Sequence, residues 1–169
     1  MVHQKSNHRQ ENYAPNKPFH YIILFFDNSK ANKRAGKKSP MDFRKQTKIG
    51  ARINENYEQL KFGLGYDHNW VLNKHQELEP MIATVYEPTS GRFMEVWTNQ
   101  PGIQFYCGNF LDGKVKGKNG VMYQYRTGLC LEAQHFPDSQ NKPDWPSTVL
   151  KASKTEPYRQ TTIYKFSVK

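Results

Sequence analysis

The sequence predicts an all-β fold, an antiparallel β-sandwich of short strands, and three observations point there. Met81 to Tyr86 and Arg92 to Thr98 flank Glu87-Pro88-Thr89-Ser90-Gly91, which reads as a hairpin. Pro88 presets φ for the second turn position, and Gly91 accepts the left-handed geometry that closes the turn. The run Thr161 to Val168 alternates, with Thr162, Tyr164, Phe166 and Val168 on one face and Thr161, Ile163, Lys165 and Ser167 on the other. No window sustains a helical period, and several further apolar runs are short and separated by Gly, Pro and Asn.

Taken in chain order, residues 1–38 form a basic first segment with eight Lys/Arg against two acids, +6 of the chain's formal +10. This segment is expected to be poorly ordered. Its run Phe19 to Phe26 has high strand propensity without alternation, which suits a buried strand; left unpaired, it would be an aggregation hazard. From residue 39 the text turns β-like. Asn54 to Phe62 gives one helical turn at best. Beyond the hairpin, strands are expected at Ile103–Cys107, Val121–Tyr125, Gly128–Gln134 and Thr161–Val168. Between the last two, residues 137–157 carry Pro137, Pro143, Pro146 and Pro157 and read as a long loop. No internal repeat is visible.

Composition bounds the class. The chain has 169 residues, the size of one domain, and its 3 Trp, 10 Tyr and 10 Phe supply burial that disordered chains lack. The longest apolar run, Tyr21 to Phe26, is too short for a membrane span or a signal peptide's apolar region, so a cytoplasmic protein is expected. Cys107 and Cys130 are too few for a disulfide framework or a thiolate metal site and read as small apolar fillers. A basic first segment can neutralise phosphates, but a solvated extension is the better reading, and nucleic acid is the weaker alternative.

Three clusters concentrate chemistry. The first is Gly65-Tyr66-Asp67-His68-Asn69-Trp70, a Gly-led turn. The second runs from Pro101-Gly102-Ile103-Gln104-Phe105-Tyr106 into Gly108-Asn109-Phe110. The third is Leu129-Cys130-Leu131-Glu132-Ala133-Gln134-His135, where Glu132 shares a strand face with Cys130 and Gln134. Glu132 is either an edge-strand carboxylate facing water or a carboxylate on a half-buried sheet surface, where it would need partners. Asp67 and His68 are neighbours, so on a strand they point apart. Glu132 and His135 have a spacing that suits a metal on a helix and not on a strand, and no third ligand cluster appears, so no metal is expected.

These clusters also carry a resemblance. Residues 39–169 resemble the C-terminal half of the aldose 1-epimerase (galactose mutarotase) family. The matching stretches include Ser39-Pro40-Met41-Asp42-Phe43-Arg44, Ile49-Gly50, Gly65-Tyr66-Asp67-His68-Asn69 and Ser90-Gly91-Arg92, with Met94-Glu95-Val96 after it. They continue through Pro101 to Tyr106, Gly108 to Gly113, Leu131-Glu132, Gln134 to Ser139, Pro146-Ser147-Thr148 and Thr161 to Phe166. The resemblance implies half of a larger supersandwich with sugar bound in an open cleft on one sheet. It implies interconversion of the α and β anomers of free aldoses such as galactose or glucose, without cofactor. Glu132 matches the general base, Asp67 an acid that hydrogen-bonds sugar hydroxyls, and Gln104 a polar sugar contact. Tyr66, Phe105 and Tyr106 are candidate apolar ring faces. Ring opening needs a base and an acid together, each within hydrogen-bond reach.

The departures are specific. Family members are longer, and their first half supplies an arginine and two histidines, including the proton donor. His3, His8 and His20 fall in none of the family's motifs, and Ser153-Lys154-Thr155-Glu156-Pro157 stands where the family has a Pro-Gly-Glu turn. The expected protein is thus a truncated epimerase with its base and two substrate contacts but without its acid histidine. Two alternatives stand beside it: a non-catalytic sugar-binding remnant or partner-dependent subunit, and a basic nucleic-acid binder. A half-sandwich would expose sheet surface, so self-association is also expected.

Overall fold

The computed structural model describes residues 22–26, 39–73, 80–152 and 157–169. The described residues form a five-stranded and a three-stranded antiparallel sheet. Strand β1 is Ile23–Phe26, β2 is Thr47–Lys48, β3 is Asp67–Val71 and β4 is Met81–Glu87. Strand β5 is Arg92–Thr98, β6 is Gly102–Tyr106, β7 is Cys130–Gln134 and β8 is Thr162–Val168. The larger sheet has the order β2-β1-β4-β5-β8 and the smaller one β3-β6-β7. Among the described residues the one α-helix, α1 (Glu58–Phe62), turns Leu60 inward and stops at Gly63. No described helix is long and apolar enough to cross a membrane.

The hairpin forms where its turn chemistry places it, with Glu87 opposite Arg92. The Glu87 carboxylate accepts the Thr89 and Ser90 N–H groups at 2.8 and 2.7 Å and the Ser90 hydroxyl. Slight burial opposes ionisation, but these three donors outweigh it and pull the carboxyl down to about 2. Gly91 closes the turn at φ 73°, where an added Cβ would lie 2.6 Å from the Lys169 carbonyl oxygen. The hairpin's second strand then pairs along its whole length with β8, from Arg92 opposite Val168 to Thr98 opposite Thr162.

The core lies between the sheets. From the larger sheet come Leu24, Phe26, Ala83 and Val96; from the smaller come Trp70, Ile103, Phe105 and Leu131. Phe43 and Tyr66 fill the space between, with rings 5.1 Å apart and nearly perpendicular. Two buried polar tips find backbone acceptors: Tyr66 Oη donates to Pro40 O at 2.9 Å and Trp70 Nε1 to Met41 O at 3.1 Å. Strand β1, from the basic first segment, is part of this core. It pairs with β4, Phe26 N–H donates to Phe43 O at 2.9 Å, and the Phe26 ring lies 5.2 Å from Trp70. The buried-strand reading of Phe19 to Phe26 thus holds for Ile23–Phe26, so a division at residue 38 cuts through one sheet. Residues 1–21 and 27–38 lie outside the described residues, as do 153–156.

Two expected elements differ. Val121 to Tyr125 is not a strand; it contributes one bridge, Lys116 opposite Met122, within a loop. Its residues have strand propensity but no neighbouring strand to pair with, and pairing is what stabilises a strand. The Gly-led cluster at 65–70, read as a turn, continues instead as β3. Cys107 is a buried filler as expected, whereas Cys130 is exposed.

Candidate active site

The smaller sheet separates apolar from polar by simple alternation. His68, Trp70, Ile103, Phe105, Leu131 and Ala133 point to the core side. Asp67, Asn69, Gln104, Tyr106, Cys130, Glu132 and Gln134 share the other face. Register fixes their neighbours, with Asn69, Gln104 and Glu132 side by side across the three strands, and Asp67, Tyr106 and Cys130 in the next row. On this face opens a cleft of about 430 Å³ lined by Asp67, Gln104, Tyr106, Phe110, Glu132, Gln134 and Pro137. The three residues singled out as base and sugar contacts, Glu132, Asp67 and Gln104, therefore border one concavity.

The floor is organised by a hydrogen bond from Gln104 Nε2 to Asp67 Oδ1 at 2.7 Å. Because a carboxylate only accepts, this bond fixes the amide's orientation and turns Gln104 Oε1 away from Asp67. Gln104 Oε1 and both amide atoms of Asn69 are buried and have no partner. One wall is aromatic: the Tyr106 and Phe110 rings stack 6.0 Å apart and 11° from parallel, and Tyr106 Oη accepts the Phe110 N–H at 3.1 Å. From the larger sheet, Tyr164 Oη donates to Leu131 O at 2.8 Å and so ties β7, which carries Glu132, to β8. Partial burial, helped by the Glu132 and Asp67 carboxylates, raises the Cys130 thiol above its ordinary value. The thiol is therefore held protonated, and the local field is negative.

Glu132 lies on an edge strand and is exposed, as the water-facing reading expected, yet it borders the cleft as well. Tyr106 reaches the cleft, whereas Tyr66 and Phe105 are wholly buried on the core side and offer no ring face to a ligand. Parity explains the difference for Phe105, since it is the immediate neighbour of Gln104 and of Tyr106. His68 also faces the core, with its ring perpendicular to Trp70 at 6.2 Å. Burial lowers its pKa more than the adjacent Asp67 carboxylate raises it, and its Nδ1 accepts the Asp67 N–H at 3.1 Å. His135 is half-buried beyond the end of β7 and does not line the cleft. Phe110, Gln134 and Pro137 also line the cleft and carry no role in the sequence reading; the exposed Phe110 ring beside Tyr106 has no signature in sequence. Among the described residues, no group of three or more His, Cys, Asp or Glu is placed to hold a metal.

Comparison with known proteins fits this geometry into a family. The aldose 1-epimerase family model matches residues 27–165. Galactose mutarotase from Mus musculus is 45% identical over 127 residues, covering 75% of this chain and 35% of that protein. Galactose mutarotase from Homo sapiens is 43% identical over the same length. Aldose 1-epimerase from Escherichia coli is 33% identical over 125 residues, 74% of this chain and 36% of that protein. The chain thus spans about a third of the length of these relatives. Among solved structures, an aldose epimerase homologue from C. elegans superposes with a TM-score of 0.75 at 21% identity, over 92% of this chain and 48% of that one. Galactose 1-epimerase from Lactobacillus acidophilus gives 0.63 at 22% identity, over 89% and 45%. These likenesses agree on the same β-sandwich, and with a family model matching most of its length, the chain belongs to the aldose 1-epimerase family.

Proposed function

We propose that this chain carries the base side of an aldose 1-epimerase site, with galactose or glucose as ligand and no cofactor. Glu132 takes the proton from the C1 hydroxyl, Asp67 accepts hydrogen bonds from other sugar hydroxyls, and Gln104 adds a polar contact. As the C1 oxygen becomes a carbonyl, the bond from C1 to the ring oxygen breaks and the ring oxygen takes a proton. Rotation about C1–C2 and reclosure then give the other anomer. The observation that supports this reading is the single cleft bordered by all three residues, with Asp67 and Gln104 already bonded to one another. The stacked wall of Tyr106 and Phe110 suits the C–H face of a pyranose.

The acid is the part that no described residue supplies. Neither described histidine, His68 or His135, lines the cleft, and in this reading water protonates the ring oxygen when the chain acts alone. General acid–base assistance contributes ~10²–10⁴-fold per group, and positioning contributes more. The chain alone should therefore accelerate mutarotation very little, and Glu132→Gln should change that rate hardly at all. Sugar binding should persist in the parent and weaken in Asp67→Asn and Gln104→Ala. The test pairs polarimetry of freshly dissolved α-galactose, at equal buffer concentration, with an NMR titration of galactose. Strong turnover abolished by Glu132→Gln would mean that a histidine completes the site after all. A titration that moves no resonance of β3, β6 or β7 would remove the sugar reading itself.

The runner-up is a sugar-binding protein or partner-dependent subunit without catalysis of its own, favoured by a cleft that no described histidine lines. Nucleic-acid binding, the weakest of the three, would show steep weakening with salt, which sugar binding lacks. The same reading puts the protein in the cytoplasm with its aldose and includes self-association through uncovered sheet surface.

A further inference from the structure

A second cavity, of about 330 Å³, opens beside Arg126 and shares no lining residue with the cleft. Arg126 is only 5% exposed, and its backbone sits at φ 55°, a left-handed position that side-chain-bearing residues rarely adopt. Its Nε donates to Asn109 Oδ1 at 3.3 Å, Nη1 to Asn54 Oδ1 at 2.8 Å and Nη2 to Leu64 O at 2.9 Å. All three acceptors are neutral. Among the described residues no carboxylate forms an ion pair with it. A guanidinium has five N–H donors, so one hydrogen on each Nη remains for something else. Burying a cation without a counter-charge is costly, and here the cost falls on a residue with an unfavourable backbone. Gly65, φ 133°, packs tightly against the same cluster: an added Cβ would lie 2.4 Å from Asn109 Oδ1 and 3.0 Å from Arg126 Nη2.

The surroundings narrow what would complete the site. Ile53, Leu60 and Leu64 give the cavity apolar walls, and the Tyr125 ring packs on the guanidinium, 4.7 Å from its centre. Lys61 and Glu55 also line it, and both are exposed. Together with Arg126 they leave one net positive charge, which matches a monoanion. A phosphate dianion would meet the same fork but would be opposed by Glu55. The geometry points to a binding site for a small organic carboxylate: its two oxygens take the free Nη hydrogens, and its short apolar body lies on the Ile53 and Leu64 walls. This inference does not depend on the sugar reading of the cleft.

The test uses the full chain, ¹⁵N-labelled, with benzoate as the probe at constant ionic strength. The Arg126 Nε–H resonance should move saturably with benzoate and stay in place with benzamide, which has the same shape and no charge. Lys61→Glu, at an exposed position, should weaken benzoate binding about three- to tenfold, as expected for two units of partly screened charge. Arg126→Lys keeps the charge, loses the fork and should abolish binding. If that variant does not fold, the benzamide and Lys61→Glu arms decide the matter. A resonance unmoved by benzoate, moved equally by benzamide, or indifferent to Lys61→Glu would overturn the assignment. Inorganic phosphate binding more tightly than benzoate would overturn the choice of a carboxylate.

Discussion

Phe26→Ala tests whether the short strand β1 holds the two sheets together. The Phe26 ring is fully buried and touches aromatic rings from both the smaller sheet and the connecting segment: Trp70 at 5.2 Å, Phe43 at 5.8 Å and Phe105 at 5.8 Å. Truncating a buried Phe costs ~3–5 kcal/mol, because the transfer energy of the ring and a cavity term add. This site should fall in the upper part of that range, since the lining rings are themselves interlocked and cannot collapse inward. With a urea slope of ~2 kcal/mol/M, a loss of about 4 kcal/mol lowers the unfolding midpoint by ~2 M. The matching control is Phe166→Ala, on β8 and 74% exposed, which should change stability by no more than about 0.5 kcal/mol. Equilibrium urea unfolding followed by tryptophan fluorescence reads both. If the Phe26→Ala midpoint moves no further than that of Phe166→Ala, β1 is not a core element and the account of the sandwich fails.

Tyr164→Phe deletes the bond to Leu131 O that links the sheets and should cost about 0.5–1 kcal/mol in the same urea assay, with the strands otherwise intact. His68 is held below its ordinary pKa mainly by burial, so the unfolded chain binds its proton first. Thermal stability should therefore fall as pH drops from 7 towards 5.5, and His68→Phe should flatten that slope; an unchanged slope would show that His68 is not the group responsible. Phe166 and Val168, 74% and 76% exposed, mark sheet surface with nothing over it among the described residues. Replacing both with Ser should lower concentration-dependent light scattering, and unchanged scattering would place self-association elsewhere.

Much of the fold was legible because its signals are local. The hairpin is written in Pro88 and Gly91, and β8 in a strict two-residue period, so neither depends on distant partners. What escaped is non-local. Strand β3 hides behind Asp67 and Asn69, two residues that strands disfavour, although they alternate with His68 and Trp70 in the right parity. Conversely, Val121 to Tyr125 has the composition of a strand and nothing to pair with. In the site, parity alone puts Gln104 opposite in direction to Phe105, which was sufficient to separate floor from core. That Glu132 should border the same cleft as Asp67 rested on the family resemblance, because two residues so far apart in sequence are joined only by sheet register. Arg126 gave no signal: its burial arises from Asn54, Leu64 and Asn109, contributed by three separate loops.

The alternation along β3, β6 and β7 also constrains how the chain tolerates insertions and deletions. Removing one residue from β6 would turn Gln104 inward and Phe105 outward, exchanging a hydrogen-bonded amide for a fully buried ring. The cleft and the core would be lost in one event, and no compensating side-chain substitution elsewhere could restore both. Length variation should therefore be confined to the connections, such as the loops at 108–129 and 135–152, where backbone is not shared between the two faces. Single-codon deletions scanned across 102–106 should abolish soluble protein, whereas those across 114–120 should be tolerated.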